Sequence, residues 1–223
     1  MPYFRKLPAD LQLQLKKHIQ VFIAEKHFVG CNGVIVSDEM RVTIAAQACL
    51  LILNRPTDYY PHLRQILIYP GPFILNKTGT DSAGVVHQQR QVLSGESWSQ
   101  GQVILSWEET IEGAATDDGR NVVIHEFAHQ LDTESGSANG APFLIARNRY
   151  ERWWNVLGKE FASLREHAEN HESSLLNQYG ATNPAEFFAV SSEVFLSNLI
   201  NCCGNPSLYE ELQAFYCVNP ISW

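Results

Sequence analysis

The chain has 223 residues, 45% of them hydrophobic and only 18% charged. That length and apolar content suit one large domain with its own core, and they exclude disordered, collagenous and low-complexity classes. Lys and Arg together number 16 against 24 Asp plus Glu, a net charge of −8, which argues against a duplex nucleic-acid binder built on clustered basic residues.

Pro8 and Asp10 precede LQLQLKKHIQVFIAEKHF (11–28), where Leu11, Leu15, Ile19, Val21, Phe22 and Ile23 fall mostly on one side at helical period. Ser37 or Asp38 can cap a second helix through MRVTIAAQACLLIL (40–53), apolar on most sides from Ile44 and therefore buried. The middle third changes to strand character: Gln65–Tyr69, then short strands at Phe73–Leu75 and Gly84–His87, then Gly101–Trp107, rich in β-branched and aromatic residues. From Asn121 onward the pattern is helical, over Asn121–Leu131, Ala146–Ala168, Pro184–Leu199 and Ser207–Phe215, with Asn183 or Thr182 capping Pro184. Helices around a small sheet in mixed order predict an α+β fold rather than a doubly wound parallel one. No boundary between lobes is visible.

The longest apolar run, Ile44–Leu53, is about half of what a transmembrane helix needs. The first residues lack an apolar signal region. Five cysteines at 31, 49, 202, 203 and 217 make an odd count without a CxxC pair. Together these features predict reduced thiols in a cytoplasmic protein that does not span a membrane.

The chemistry lies in NVVIHEFAHQLD (121–132), which carries His125-Glu126-Phe127-Ala128-His129. At i and i+4 on a helix the two imidazoles lie one above the other and can reach one tetrahedral metal ion. Glu126 sits beside the first of them, where a carboxylate can accept a proton from an activated water. Composition alone predicts roughly 0.02 such matches in a chain of this make-up. The apolar run before His125 also marks a helix buried on its far side.

Two imidazoles need a third protein ligand. Asp132 projects from nearly the same face one turn on, and is better placed to hydrogen-bond a ligand imidazole from outside. No histidine stands at the next spacing used by longer zinc motifs; that position is Ser135. Glu186, flanked by Phe187 and Phe188 at the start of an apolar helix, reads either as the remote ligand or as a first-turn carboxylate favoured by the helix dipole, and spacing leaves both readings open. His167 and His171 repeat the i, i+4 spacing, but Ala168 stands where a base is needed and the segment reads as a solvated helix end. His87 reads as cleft-lining or structural. Trp153 and Trp154 read as core, with one ring able to face a groove. Cys202 and Cys203 read as a turn pair, and the Gly136, Gly140 and Pro142 loop shapes the cleft or turns the chain.

The segment HEFAHQLD (125–132), followed by YGATNPAEFFA (179–189), is similar to the catalytic region of anthrax lethal factor, a zinc metalloprotease of the gluzincin type. Nearly the whole chain, including LIYPGPF (67–73), VVHQQRQVLSGESW (85–98) and ANGAPF (138–143), resembles the Mlc titration factor A family of bacterial cytosolic zinc peptidases. The resemblance implies a zincin-like domain over 1–223, with a cleft near 125–186 and a sheet whose edge strand borders the active helix; Gly101–Trp107 is the expected edge. It implies one Zn²⁺ per chain held by His125, His129 and Glu186, with Glu126 as general base, Tyr179 stabilising the oxyanion or protonating the leaving amine, and Asp132 in the outer shell. The lethal-factor pattern carries one more glutamate four residues after the ligand; here that position is Val190, and Glu193, seven residues after Glu186, is the substitute on offer. The implied activity is peptide hydrolysis, tilted towards aminopeptidase action. The family also implies a second role, the sequestering of a transcriptional repressor of sugar-uptake genes.

Overall fold

The computed structural model describes residues 2–56, 58–80, 86–93, 95–98, 101–116, 118–134, 136–144, 146–197 and 205–223. Its first half runs α1 (Pro2–Lys6), α2 (Ala9–Glu25), β1 (His27–Gly30), α3 (Asp38–Leu50), β2 (Gln65–Tyr69), β3 (Phe73–Thr80), β4 (Val86–Leu93), β5 (Gly95–Trp98) and β6 (Gln102–Ser106). Helices then dominate: α4 (Trp107–Ala115), α5 (Val122–Thr133), α6 (Arg149–Glu169), α7 (Pro184–Leu196) and α8 (Pro206–Tyr216). The result is the expected α+β architecture, mostly helical with a small mixed sheet. Among the described residues no helix is long and apolar enough to cross a membrane. Cys31, Cys49 and Cys217 are free thiols, while Cys202 and Cys203 lie outside the described residues.

The sheet has the order β1-β2-β6-β5. β1, β2 and β6 are parallel, and β5 closes the row antiparallel to β6, with Gly95 opposite Leu105 and Trp98 opposite Gln102. Parallel neighbours need long crossovers; α3 lies in the crossover from β1 to β2, and the β3–β4 hairpin lies in that from β2 to β6. Ser37 caps α3, its Oγ accepting the N–H of Met40 at 3.2 Å, and α3 is buried from Ile44 to Leu50 as its apolar run predicts.

Four differences from the sequence reading have physical causes. His27 and Phe28 belong to β1 and not to the helix before it, because pairing with β2 captures this segment, Phe28 facing Ile66. Trp107 starts α4 instead of ending a strand: Ser106 accepts the N–H of Glu109 at 3.3 Å, a capping pattern legible as Ser-x-x-Glu. Gly101–Trp107 is not the edge of the sheet. Its strand core, β6, is paired on both sides, and the edge is β5, whose polar Gly-Glu-Ser-Trp is too short and too polar to register as a strand. The hairpin strands are also longer than expected, with β4 beginning at Val86; residues 84 and 85, and the side chain of His87, lie outside the described part.

One hydrophobic cluster joins the sheet to the helices. Phe127 on α5 meets Tyr60 edge-to-face at 4.9 Å and Phe22 at 5.7 Å. On the far side Trp153, Phe188, Phe215 and Tyr216 pack ring on ring around α7. The back of α5 is thus locked by Val123, Ile124, Phe127 and Leu131, all buried, which aims the opposite face outward.

Asn121 holds the start of α5. Its Oδ1 accepts the N–H of Ile124 at 2.9 Å, and its Nδ2 donates to Gln47 Oε1 at 2.7 Å and to the Gly113 carbonyl at 2.9 Å. It is almost fully buried, so its loss strands several polar groups from water. Asn121→Ala is therefore expected to lower unfolding free energy by about 2–4 kcal/mol in urea titrations; a change under about 1 kcal/mol contradicts this account.

Candidate metal centre

The face of α5 opposite that core carries His125 and His129 one turn apart, their ring centroids 4.9 Å from each other. α7 packs across it. Asn183 caps α7 by accepting the N–H of Glu186 at 3.0 Å, and Pro184 supplies the first turn. Glu186 is therefore a first-turn carboxylate, as one reading held, but its side chain crosses to α5. Its Oε2 lies 3.0 Å from His125 Nε2 and 3.3 Å from His129 Nε2.

The ligand atoms of His125, His129 and Glu186 all lie within 4.8 Å of one another. Four ligands on bonds of about 2.0–2.1 Å in a tetrahedron stand about 3.3 Å apart. The donor set, two imidazoles and one carboxylate, is also that of hydrolytic zinc sites with one open position. The cluster fits a divalent metal ion, zinc by its ligand chemistry, and among the described residues it is the one such group. His167 and His171 do not form a second: His171 has left the helix at φ +55°, and His167 Nδ1 is 2.6 Å from the Ser163 carbonyl.

Glu193 takes the outer position. Its Oε1 is 2.7 Å from His125 Nδ1, and its Oε2 accepts the N–H of Asn121 at 2.6 Å. Seven residues after Glu186, it is two turns along the same face of α7. With a metal bound, a proton on Nδ1 donated to Glu193 would leave the Nε2 lone pair for the ion. Val190, four residues after Glu186, is buried and apolar. Asp132 is turned towards the next loop, where Oδ2 accepts the N–H of Gly140 at 2.8 Å; His129 is near enough for its charge to be felt. Trp153 Nε1 donates to the Gly140 carbonyl at 2.9 Å. Gly140 has φ +77°, and a Cβ there would sit 2.4 Å from the Pro184 carbonyl oxygen. One glycine therefore ties the end of α5 to α6 and to the first turn of α7.

Tyr179, on a 3-10 turn at Gln178–Ala181, reaches the same centre, its hydroxyl 3.4 Å from Glu186 Oε1 and its ring 6.0 Å from that of His125. Glu126 is buried beneath β5. A Cβ on Gly95 would lie 2.7 Å from Glu126 Oε1 and 2.7 Å from Val122 Cγ2, so the edge strand approaches this carboxylate with nothing but a hydrogen between them. Ser97 on the same strand accepts a hydrogen bond from Gln130 Nε2 at 2.5 Å. The signal for β5 lay in the strand partner and the glycine, neither of which has a periodic pattern.

Electrostatics separates the carboxylates. Burial pushes Glu126 up to about 7, with His125 and His129 drawing it back. Glu186 is also partly buried, but its hydrogen bonds to His125 and His129 outweigh burial and hold it well below the usual carboxylate range. Burial opposes the charged form of His125, and the bonds to Glu186 and Glu193 prevail, holding its pKa well above that of an ordinary imidazole. Burial, with Glu186 and Glu126 close by, pushes the Tyr179 hydroxyl up to about 12, so it stays protonated at neutral pH. His125, Glu126, His129, Glu186 and Tyr179 all line one cavity of about 630 Å³.

If Glu193 orients His125, Glu193→Gln is expected to weaken Zn²⁺ binding about 10–100-fold in a chelator-competition titration; an unchanged affinity removes Glu193 from this role.

Residues 1–217 match the family described as glucose-regulated metallo-peptidase M90. A Synechocystis protein carrying the name Uncharacterized protein slr2042 is 39% identical over 99% of this chain and 82% of its own length. Proteins named Mlc titration factor A are 33% identical in Escherichia coli O139:H28 and 32% in Enterobacter sp. strain 638, in each case over 99% of this chain and 84% of the relative. A match over nearly the whole chain, joined to a His-His-Glu cluster beside a buried glutamate, places this protein in the glucose-regulated metallo-peptidase M90 family.

Proposed function

We propose that this protein is a zinc-dependent peptidase of the cytoplasm, a single zincin-like domain whose cleft runs past His125, Glu126 and Glu186. The observation that carries the reading is the meeting of His125 Nε2, His129 Nε2 and Glu186 Oε2 beside the buried carboxyl of Glu126. A purely structural metal site needs neither an adjacent base nor an open position.

His125, His129 and Glu186 would hold one Zn²⁺, and Asp132 and Glu193 would steady them from outside. When bound, the ion supplies Lewis-acid polarisation and acidifies a water molecule. Glu126 accepts a proton from the attacking water as its oxygen bonds to the scissile carbonyl carbon. It then returns that proton to the nitrogen as the C–N bond breaks. Tyr179, kept protonated, donates a hydrogen bond to the oxyanion that develops on the former carbonyl. Among the described residues β5 has a partner on one side alone, and the face of the strand at Gly95 lies against α5 beside Glu126. An extended peptide adds to such an edge through backbone hydrogen bonds. The favoured action is on peptides with a free amino terminus, following the family resemblance.

A second reading draws support from the relatives' name, titration factor of Mlc. The protein then sequesters a transcriptional repressor with no need of turnover. A pull-down with the repressor, repeated with Glu126→Gln, separates the two, because binding that survives the substitution does not depend on hydrolysis.

Glu126→Gln is expected to purify with a full complement of zinc and to lose at least about 10³-fold in kcat on a peptide panel; wild-type turnover in this variant rejects the mechanism. Glu186→Ala is expected to purify with much less zinc, and full occupancy removes Glu186 as a ligand. A chelator should abolish hydrolysis and added Zn²⁺ should restore it. Gly95→Ala should retain zinc and stability yet lose about tenfold or more in kcat, since its methyl displaces the Glu126 carboxylate; unchanged turnover shows that the strand can give way.

A further inference from the structure

The cavity at the metal centre has an end that the chemistry above does not use. Trp154 is 45% exposed and lines the same cavity as the ligand cluster. Its neighbour Trp153 is fully buried, packed at a tilt against Phe188 and Phe215 and hydrogen-bonded to Gly140. That anchor fixes the rotation of α6, so the indole of Trp154 is held at the cavity rather than free to turn into the core.

The Gly140 contacts bring three segments together: the loop at 138–141, the first turns of α6, and the opening of α7. Ala138, Pro184 and Ala185, with Asn139 and Asn183 beside them, line the same cavity as Trp154. Ala138, Pro184 and Ala185 are small and apolar, and the loop beside them is held by the Gly140 N–H on Asp132 and by Trp153 Nε1 donating to the Gly140 carbonyl. The space on the other side of Glu126, a second cavity of about 350 Å³ that shares His125, Glu126 and Tyr179, is instead lined by Glu109, Glu112, Asp118 and Arg120. The cleft thus runs from a charged end through the metal centre to an aromatic end. A half-exposed indole on a rigid apolar wall gains most when an apolar or aromatic group covers it.

We propose that Trp154, Ala138, Pro184 and Ala185 form a subsite for a bulky apolar or aromatic side chain of the bound peptide, next to the scissile bond. The assignment rests on the peptidase reading for the identity of the ligand. It makes Trp154 a specificity-determining residue that reads substrate without touching the reacting atoms.

The test is calorimetric titration of the zinc-loaded protein with two amino-acid hydroxamates, one with a benzyl and one with a methyl side chain. The wild type is expected to prefer the benzyl probe by about tenfold or more. Trp154→Ala should bring that ratio close to one, and Trp154→Phe should keep most of it. Equal affinities in the wild type, a preference that survives Trp154→Ala, or binding of neither probe each overturn the subsite. The peptidase reading fails separately: a protein that shows the preference but cleaves no member of a peptide panel keeps the subsite and loses the hydrolase. One that cleaves peptides without side-chain preference does the reverse.

Discussion

Everything at the centre depends on one carboxylate crossing between two helices. Glu186 leaves the first turn of α7 and meets two imidazoles on α5. A charge in so apolar a setting is costly unless it is paired, and α7 is buried along nearly its whole length. Moving either helix by an ångström would break the meeting, so the cores behind them carry the demand for precision: Phe127 against Tyr60 and Phe22 on one side, Phe188 against Trp153 and Phe215 on the other. The hydrophobic packing is what makes the polar geometry repeatable.

A second layer of polar contacts connects this meeting to the rest of the chain. Glu193 reaches both His125 and the backbone of Asn121, and Asn121 reaches Gln47 on α3 and the carbonyl of Gly113. The start of α5, the ring of His125 and the buried helix of the N-terminal half are joined by consecutive hydrogen bonds. In a low-dielectric interior such a chain is strong when every member is satisfied and fragile when one is removed. Asn121 is both a helix cap and a junction in that chain.

The parts of this arrangement that repeat at a local period were legible in the sequence. His125, Glu126 and His129 fall within five residues, and the capping residues Ser37, Asn121 and Asn183 announce their helices. Glu186 could be nominated but not decided, because a first-turn glutamate is ordinary and only the packing of α7 on α5 turns it towards the imidazoles. Glu193 stands out in the sequence only as a substitute for the glutamate that Val190 replaces, since an acid two turns down an apolar helix has no local meaning until the facing helix is known. β5 leaves no trace in the sequence pattern: four residues with one apolar side chain carry no alternation, and their strand state comes from β6. Trp107 misled because an aromatic residue after a strand-like run extends the pattern, although Ser106 and Glu109 already marked a helix start.

The edge strand has a further effect that follows from how it is tethered. Ser97 is bonded to Gln130, and Gly95 rests directly on Glu126, so the strand cannot slide along the helix that carries Gln130 and Glu126. An extended strand paired with this edge would take its alignment from a fixed rail. Slipping by a single residue would turn every one of its side chains over to the opposite face.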